Sequence, residues 1–218
     1  MQTIVTSSAS ELTSQALAFV RGIIAQDDGI ITIGLSGGST PVALYNALGA
    51  DDSLPWDQFR FFLVDDRYVP SDHADSNQRL VRSTLLAHHH AKLLAPDTTL
   101  DLPQCVQDYD ERLQGIIPDL VILGMGDDGH IASLFPPVSP DAFGEATVIH
   151  TTTENFSVHD RLSVTLPFLE SAKHRLFLIS GEKKIALFRS QEHENQDPSM
   201  FPAHALFDQR TTWLLGSY

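Results

Sequence analysis

Short apolar runs alternate with amphipathic segments along most of the chain. In residues 8–26, apolar side chains recur on one face at helical spacing, and Ser8-Ala9-Ser10-Glu11 at the start of this segment fits a capping box. Further helices are predicted to begin at Pro41, to run from Ser76 to about Leu86, and to span Gln104–Gln114 and Lys183–Ser190. Strands are predicted at the apolar runs Ile30–Leu35, Phe59–Val64, Leu120–Leu123, Val148–Thr151, Leu162–Thr165, Leu176–Ile179 and Trp213–Leu215.

This alternation predicts the fold class. Short apolar strands between helices are typical of a Rossmann-like α/β fold, an open, mostly parallel sheet with helices on both faces. Polar clusters directly follow the strands that begin at Ile30, Phe59, Leu120 and Leu176. Ligands in such folds bind beyond the carboxyl ends of the strands, so the functional residues are expected in these four clusters. No internal repeat or linker is visible, and residues 1–218 are predicted to form a single domain.

The composition fits a chain that folds around a sizeable core. Its 218 residues are 42% hydrophobic, and no apolar run reaches the length of a membrane span. Residues 1–10 contain neither the basic segment nor the long apolar stretch of a secretory signal. With Cys105 as the one cysteine, no intrachain disulfide forms, which fits a cytoplasmic protein. We expect a monomer or a weak homodimer with no membrane partner.

The charge balance excludes one class of partner. The formal net charge is −14 at pH 7, and a body this acidic repels the phosphate backbone of a nucleic acid. We therefore expect no nucleic-acid partner. The same negative field makes clustered basic residues informative, because an acidic protein binds an anion only where positive charge is concentrated locally.

The first polar cluster, Gly34 to Thr40, has the features of an anion-binding turn. Its glycines let backbone amides approach an anion closely, and the following helix offers free N–H groups and the positive end of its dipole. Thr40 is suited to cap that helix and Pro41 to occupy its first position. An ordinary strand-to-helix turn fits the same residues. A third interpretation is the G-x-S-x-G elbow with Ser36 as nucleophile, although no earlier strand is predicted to supply its oxyanion hole.

Two carboxylates and an arginine, Asp65-Asp66-Arg67, follow the second predicted strand. They form either a salt-bridged loop or part of a binding site. Arg67 presents a planar fork of donors that suits a phosphate or a developing oxyanion. In that second interpretation, a neighbouring carboxylate orients a histidine or holds water.

The third cluster runs from Gly124 to His130 and formally matches the dinucleotide pattern G-x-G-x-x-G. Asp127 and Asp128 argue against that interpretation, because they add negative charge where a pyrophosphate has to lie. His130 follows the last glycine, at the edge of the predicted sheet. A histidine that titrates near neutrality is the natural general base for activating water, although a lone histidine is more often structural.

Other basic and metal-binding candidates are less informative. Lys183 and Lys184 suit a substrate phosphate or an exposed helix face equally well, and Arg161 is similarly ambiguous. His88-His89-His90 would point about 100° apart on a helix, so we interpret the run as an exposed helix end. The sequence contains no H-E-x-x-H and no paired-cysteine zinc pattern. Neither a metal nor a cofactor is expected.

Taken together, these segments resemble the 6-phosphogluconolactonases of the glucosamine-6-phosphate isomerase/6-phosphogluconolactonase superfamily. The resembling stretches are GLSGGSTPVALYNAL from Gly34, FFLVDDRYVPSDHADSNQRLVRSTLL from Phe61, PDLVILGMGDDGHIASLFP from Pro118, RLSVTLPFL from Arg161 and LISGEKK from Leu178. They occur in the family order over most of the chain. The pattern GMGxDGHxASLFP together with DDRYVP and SN is highly specific, whereas the glycine loop alone is not.

The resemblance implies roles for individual residues. His130 corresponds to the base that activates the hydrolytic water, and Asp65 and Arg67 to the pair beside the lactone carbonyl. The implied clamp for the phosphate and the sugar acid consists of Gly37, Gly38, Ser39, Thr40, Arg161 and Lys184. Lys184 is preferred over Lys183 because the family pattern is G-x-x-K.

The resemblance also implies the fold and the reaction. The fold is that of the NagB/RpiA/CoA-transferase-like proteins. The reaction is hydrolysis of 6-phospho-D-glucono-1,5-lactone to 6-phospho-D-gluconate, the second step of the oxidative pentose phosphate pathway, without metal or cofactor. The partner is therefore a small phosphorylated sugar lactone.

Two departures from the family pattern do not touch the implied chemistry. Asp66 stands where glutamate is usual, and Pro202–Leu206 is only loosely similar to the usual P-A-S-L-L.

The related amino-sugar isomerases share G-x-x-D-G-H-I-A but continue to F-N-E-P and carry a strand end like M-D-E-Y. Here Ser133-Leu134-Phe135-Pro136 and Val64-Asp65-Asp66-Arg67 stand in those places, so the ring-opening acid is missing. This favours a lactonase over an isomerase. A serine esterase that uses Ser36 and a non-catalytic sugar-phosphate sensor are two further possible functions.

Overall fold

The computed structural model describes residues 1–26, 29–194 and 197–218. The strands of this part of the chain are β1 (Gln2–Thr6), β2 (Ile31–Leu35), β3 (Phe59–Leu63), β4 (Asp65–Arg67), β5 (Lys92–Leu94), β6 (Leu120–Leu123), β7 (Val148–Thr152), β8 (Asp160–Val164), β9 (His174–Ser180) and β10 (Thr211–Gly216). The helices are α1 (Ala9–Ile24), α2 (Val42–Gly49), α3 (Asn77–Ser83), α4 (Leu102–Leu113), α5 (Leu166–Ser171) and α6 (Glu182–Gln191). Short 3₁₀ helices span Trp56–Gln58, Pro140–Phe143 and Pro202–Leu206.

In the described part of the chain, seven strands form one sheet in the order β1-β10-β9-β6-β2-β3-β5. Each neighbouring pair in this sheet is parallel. Helices follow most of the strands, since a parallel pair of strands needs a crossover connection, which is usually a helix. The predicted open, mostly parallel α/β sheet is therefore confirmed.

The sheet separates two hydrophobic cores because successive side chains of a strand point to opposite faces. In β3, Phe62 lies in one core while Phe61 and Leu63 lie in the other. Helices α1 to α3 contribute to the core of Phe61, for example through Ala16 of α1, and helices α4 to α6 to the core of Phe62. Helices thus cover both faces. No helix in the described part of the chain combines the length and the hydropathy that a bilayer span requires.

A second, smaller sheet was not predicted from the sequence. It is antiparallel and has the order β4-β8-β7. Its strand β4 continues the chain from β3 after one residue, Val64, whose carbonyl accepts a hydrogen bond from Val164. This sheet places Arg67 directly opposite Arg161.

The hydrophobic pattern of the sequence also does not predict two strands and one helix. Strands β1 and β5 and helix α5 are short, and their own sequences carry little periodicity. β1 contains only two large apolar residues and is stabilised by pairing with β10 along its whole length. Local pattern is weak where a neighbouring strand supplies most of the stabilisation.

The predicted helix caps are partly wrong. Ser8 does cap α1, since its hydroxyl accepts a hydrogen bond from the Glu11 amide at 3.1 Å. The Glu11 carboxylate, however, accepts from Ser7 rather than from Ser8, so the capping box is incomplete. Thr40 does not cap α2: the helix begins at Val42 without a side-chain cap, and the Thr40 hydroxyl lies 3.2 Å from the Ser180 hydroxyl.

The histidine run at 88–90 does not lie on a helix, because α3 ends at Ser83. His88 and His90 are exposed, as predicted. His89 is not: its ring stacks on Trp56 with centroids 4.0 Å apart and planes 5° apart. The prediction of an exposed run is therefore wrong for its central residue, which an aromatic side chain covers.

Candidate active site

A cavity of about 480 Å³ opens at the carboxyl ends of four strands, β9, β6, β2 and β3. These strands are neighbours in the sheet, so the polar segments that follow them converge. Every site residue predicted from the sequence lines this cavity: Gly37, Gly38, Ser39, Thr40, Asp65, Arg67, His130, Arg161 and Lys184. The fold therefore brings these residues, from separate segments of the chain, to one edge of the sheet.

The glycine loop, residues 37–40, needs glycine at two positions for two different reasons. Gly38 has a φ of +90°, a backbone conformation that side chains disfavour. At Gly37, an added Cβ would lie 1.9 Å from Oδ1 of Asn77, so only glycine allows this close approach. The loop therefore packs directly on the first residue of α3.

Ser36 is not arranged as a nucleophile. Its hydroxyl donates a hydrogen bond to the Ile122 carbonyl at 2.9 Å, and its own carbonyl accepts one from the Tyr45 hydroxyl at 2.8 Å. Ser36 is buried at the end of β2, and within the described residues no histidine or carboxylate accepts its proton. These contacts disfavour the serine-elbow interpretation.

Asp65 lies at the centre of a buried polar network. One carboxylate oxygen accepts a hydrogen bond from the Ser133 hydroxyl at 2.6 Å, and the other accepts one from the Asn77 amide at 3.3 Å. The same amide donates to the Asp65 carbonyl at 2.9 Å. On its other side, Oδ1 of Asn77 accepts from Nη1 of Arg67 at 2.7 Å. Asn77 therefore connects Asp65, Arg67 and the glycine loop.

Asp66 has a structural role in this network. Its carboxylate accepts hydrogen bonds from the backbone amides of Arg67, Asn77 and Gln78 and from the Ser76 hydroxyl, at 2.7–3.2 Å. Burial raises the pKa of Asp66 to about 6, although these amide donors act in the opposite direction. Asp66 thus anchors the start of α3 and does not line the cavity.

Arg67 and Arg161 form a pair of like charges on adjacent strands. They are direct partners in the antiparallel pairing of β4 with β8. Burial, and then the positive charge of Arg67, lower the pKa of Arg161. Nη1 of Arg67 is occupied by the Asp75 carbonyl and Asn77, whereas its buried Nε meets no acceptor among the described residues. A bound anion would satisfy this donor and offset the repulsion between the two arginines.

His130 is held by the carboxylate two residues before it. Its Nδ1 lies 2.5 Å from Oδ1 of Asp128, which also accepts a hydrogen bond from the His130 amide at 3.2 Å. A carboxylate only accepts, so in the neutral imidazole Nδ1 carries the proton and Nε2 keeps its lone pair. Burial opposes ionisation of Asp128, but the charge and hydrogen bonds of His130 outweigh it and lower the pKa of Asp128.

The glycines of the turn make this contact possible. A Cβ on Gly126 would lie 2.1 Å from Nδ1 of His130 and 2.6 Å from Oδ1 of Asp128. Gly129 has a φ of +85° and packs against Phe201. No helix follows this turn, so the dinucleotide interpretation of G-x-G-x-x-G fails on geometry. The segment instead aims a histidine–carboxylate pair at the cavity.

The family model for glucosamine-6-phosphate isomerases/6-phosphogluconolactonase matches residues 5–214. The chain belongs to this family. A protein named probable 6-phosphogluconolactonase from Dictyostelium discoideum is 36% identical, with 95% of this chain and 94% of that protein covered. The 6-phosphogluconolactonase of Synechocystis is 37% identical, over 84% of this chain and 81% of its own. The crystal structure of a 6-phosphogluconolactonase from Shewanella baltica has a TM-score of 0.89 at 25% identity and covers 100% of this chain and 98% of that one.

One position that differs from the isomerase pattern lies beside His130. Phe135 stands where the isomerase pattern has its glutamate. Its ring lies 4.6 Å from the His130 ring, so an aromatic side chain occupies the place beside the histidine. Position 135 therefore provides no carboxylic acid beside His130.

The two lysines at the start of α6 differ in their placement. Lys184 is partly buried and lines the cavity, whereas Lys183 is exposed and lies outside it. In the described part of the chain, no group of three histidine, cysteine, aspartate or glutamate side chains is arranged to hold a metal ion.

Sequence reasoning missed two residues of this site. One of the two roles that it considered for a carboxylate of the 65–66 pair is to orient a histidine, but the partner of His130 is Asp128. The sequence analysis considers Asp128 only as a negative charge that disfavours pyrophosphate binding. Its position two residues before His130, with one glycine between them, is the signal that could have identified it as the partner of the histidine. Asn77 belongs to the family motif but received no role, because its contacts come from three separate segments.

Proposed function

We propose that this chain hydrolyses 6-phospho-D-glucono-1,5-lactone to 6-phospho-D-gluconate, the second step of the oxidative pentose phosphate pathway, using water activated by His130 and no metal ion. The names of its relatives support the reaction. The observation that carries the proposal is the His130–Asp128 pair in the same cavity as two arginines and a lysine. The single cysteine supports a cytoplasmic setting, and we expect a monomer or a weak homodimer.

The cavity suits a substrate with an anionic group. In the proposal, the 37–40 loop, Arg161 and Lys184 hold the 6-phosphate through charge-assisted hydrogen bonds, which the two cationic side chains and the loop amides donate to the phosphate oxygens. Anchoring the phosphate positions C1 of the lactone at His130, so binding energy far from the reaction centre sets the geometry there. The chain's net charge of −14 makes this local group of cations the place where an anion is attracted.

The chemical step follows from the state of the imidazole. Nε2 of His130 takes a proton from water as the water oxygen attacks the lactone carbonyl at C1. The tetrahedral oxyanion then collapses, the bond from C1 to the ring oxygen breaks, and protonated His130 returns its proton to the ring oxygen. The resulting carboxylic acid ionises and releases one proton to solvent. A lactone is an activated ester, so this route needs no Lewis acid.

Arg67 is the proposed oxyanion donor, together with a backbone amide near Gly38. Its unpartnered Nε gives it a free donor, and Asn77 holds the opposite side of the guanidinium. Both carboxylate oxygens of Asp65 are hydrogen-bonded to neutral donors, Ser133 and Asn77. We therefore assign Asp65 to positioning Asn77, and through it Arg67, instead of contacting the substrate.

The proposal is tested by following proton release from freshly made 6-phosphogluconolactone, with the spontaneous rate subtracted. His130→Ala should lower kcat by about 10²–10⁴-fold while KM changes little, since base catalysis typically contributes that much. His150→Ala is a matched control, because His150 forms a similar pair with Asp160 (2.8 Å) outside this cavity. Equal rates for the wild type and His130→Ala would remove His130 from the mechanism.

Each rival activity has a separate test. Ammonia release from an amino-sugar phosphate would indicate the isomerase reaction, which Phe135 disfavours. Covalent labelling of Ser36 by an organophosphonate would indicate a serine esterase, which the hydrogen bond from Ser36 to Ile122 disfavours. Binding of sugar phosphates without any hydrolysis would indicate a sensor, for which the His130–Asp128 pair has no purpose.

A further inference from the structure

An exposed aromatic residue stands at the border of the cavity. Phe156 lies in the turn between β7 and β8, is 44% exposed and lines the cavity. Its ring centroid lies 6.0 Å from that of Phe135 and 6.0 Å from that of His130. Nothing in the proposed chemistry uses this residue, although it lines the cavity that holds His130 and Arg161.

The contacts of Phe156 centre on Arg161. The guanidinium carbon of Arg161 lies 4.9 Å from the Phe156 ring centroid and 5.7 Å from that of Phe135. Nε of Arg161 donates to the Val158 carbonyl at 3.3 Å, in the same turn. The turn therefore holds this arginine through a ring and through a backbone acceptor. Among the described residues, no hydrogen-bond acceptor engages the terminal nitrogens of Arg161, so they are free for a ligand.

The position of Arg161 needs such support. It is only 5% exposed and stands directly opposite Arg67. Two guanidinium groups on adjacent strands repel each other when no anion lies between them. The negative face of an aromatic ring attracts a cation, most strongly where water is excluded. Phe156 supplies such a face to Arg161.

We propose that Phe156 is a positioning residue, which holds the Arg161 guanidinium in place against the repelling charge of Arg67, so that the substrate phosphate meets a preformed Arg161. This inference rests on the proposed function, in which Arg161 binds the phosphate. Phe156 acts through Arg161 and forms no hydrogen bond with His130, whose ring centroid lies 6.0 Å from its own. Its loss therefore weakens binding of the anionic group and leaves the chemical step unchanged.

Two variants distinguish the effect of the aromatic face of Phe156 from the effect of its apolar bulk. Phe156→Leu keeps an apolar side chain but removes the aromatic face, and Phe156→Tyr keeps that face. Losing a cation–π contact at a partly desolvated site should raise KM for the phosphorylated lactone about tenfold in Phe156→Leu. We expect its kcat to stay near that of the wild type and Phe156→Tyr to behave like the wild type. Phe143→Leu is the control, since Phe143 is similarly exposed (42%) but lies outside the cavity.

The unphosphorylated glucono-1,5-lactone shows whether Phe156 affects binding of the phosphate or binding of the sugar. Its kinetics should be the same in the wild type and in Phe156→Leu. Equal losses for both lactones would overturn the proposal, because the ring would then contact the sugar itself. An unchanged KM in Phe156→Leu, or a Phe156→Tyr variant as impaired as Phe156→Leu, would also overturn it. Thermal unfolding midpoints check that each variant folds.

A binding measurement keeps this inference distinct from the proposed function. Calorimetric titration with inorganic phosphate reads the anion site without any turnover. Phe156→Leu should bind phosphate about tenfold more weakly than the wild type. If the wild type failed to hydrolyse the lactone, the proposed function would fall. Unchanged phosphate affinity in Phe156→Leu would refute the positioning role, whether or not the lactone is hydrolysed.

Discussion

The link between Asp128 and His130 is the contact whose removal gives the sharpest test of the catalytic proposal. Asp128→Asn keeps the shape of the side chain and removes its charge. The Asn carbonyl is able to accept a hydrogen bond from Nδ1–H of His130, but it lacks the charge that makes the 2.5 Å hydrogen bond to Asp128 strong. If the amide rotates, its NH₂ group faces Nδ1 and favours the wrong tautomer, with the proton on Nε2.

The size of the effect follows from the geometry. A hydrogen bond to a charged group typically contributes about 1.5–3 kcal/mol. The Asp128 side chain is 40% exposed, so solvent screening places this one at the lower end of that range. About 1.5 kcal/mol corresponds to roughly a tenfold fall in kcat. KM should change little, because neither residue belongs to the proposed phosphate clamp.

Asp127→Asn is the matched control. Asp127 is the adjacent carboxylate and lines the same cavity, and among the described residues it forms no hydrogen bond with His130. The assay is proton release under saturating lactone. If the two variants lose equal activity, the general negative field matters and the hydrogen bond does not. A fully active Asp128→Asn variant would refute the assigned tautomer and the base role built on it.

Three other predictions use independent measurements. Lys184→Ala should raise KM for the phosphorylated lactone and not for its unphosphorylated analogue, whereas the exposed Lys183→Ala should alter neither; equal losses on both substrates would refute the clamp. Gly37→Ala should lower kcat, because its Cβ would lie 1.9 Å from the Asn77 oxygen that holds Arg67; a fully active variant would show that the loop adjusts freely. Burial opposes ionisation of Asp208, but hydrogen bonds from two arginines outweigh it and lower its pKa to about 2. The resulting stabilisation is complete above the usual aspartate pKa near 4 and is lost as pH falls through about 2. Asp208→Asn should thus lower the urea midpoint most at neutral pH; a difference that widens towards pH 3 would contradict this.

The elements with the strongest hydrophobic pattern agree best with the structure. The predicted strand Leu120–Leu123 has the observed bounds, and Ile30–Leu35 differs from β2 by one residue. Both are central strands, covered on both faces, so every position must suit burial, and most positions are apolar. Edge strands lack this requirement. The hydrophobic pattern of β1 and β5, which lie at the two edges of the sheet, was therefore too weak to predict them as strands.

The site residues were predictable for a related reason. In a parallel sheet the carboxyl ends of the strands share one edge, so the polar segments after four apolar strands had to lie near each other. The order of the strands, β9-β6-β2-β3, was not encoded in any local pattern. It depends on how the helices pack across the whole sheet. Without that order, the distances between the clusters could not be derived.

The sequence by itself determined the alternation of strands and helices, the family and the set of residues at the strand ends. Only the tertiary structure decided that Asp128 and not Asp65 pairs with His130, that Asn77 holds Arg67, and that Arg161 faces Arg67. Periodicity records whether each position is buried, which is a local property. Pairing of side chains depends on register, turn geometry and strand order, which are set by contacts between segments far apart in the chain.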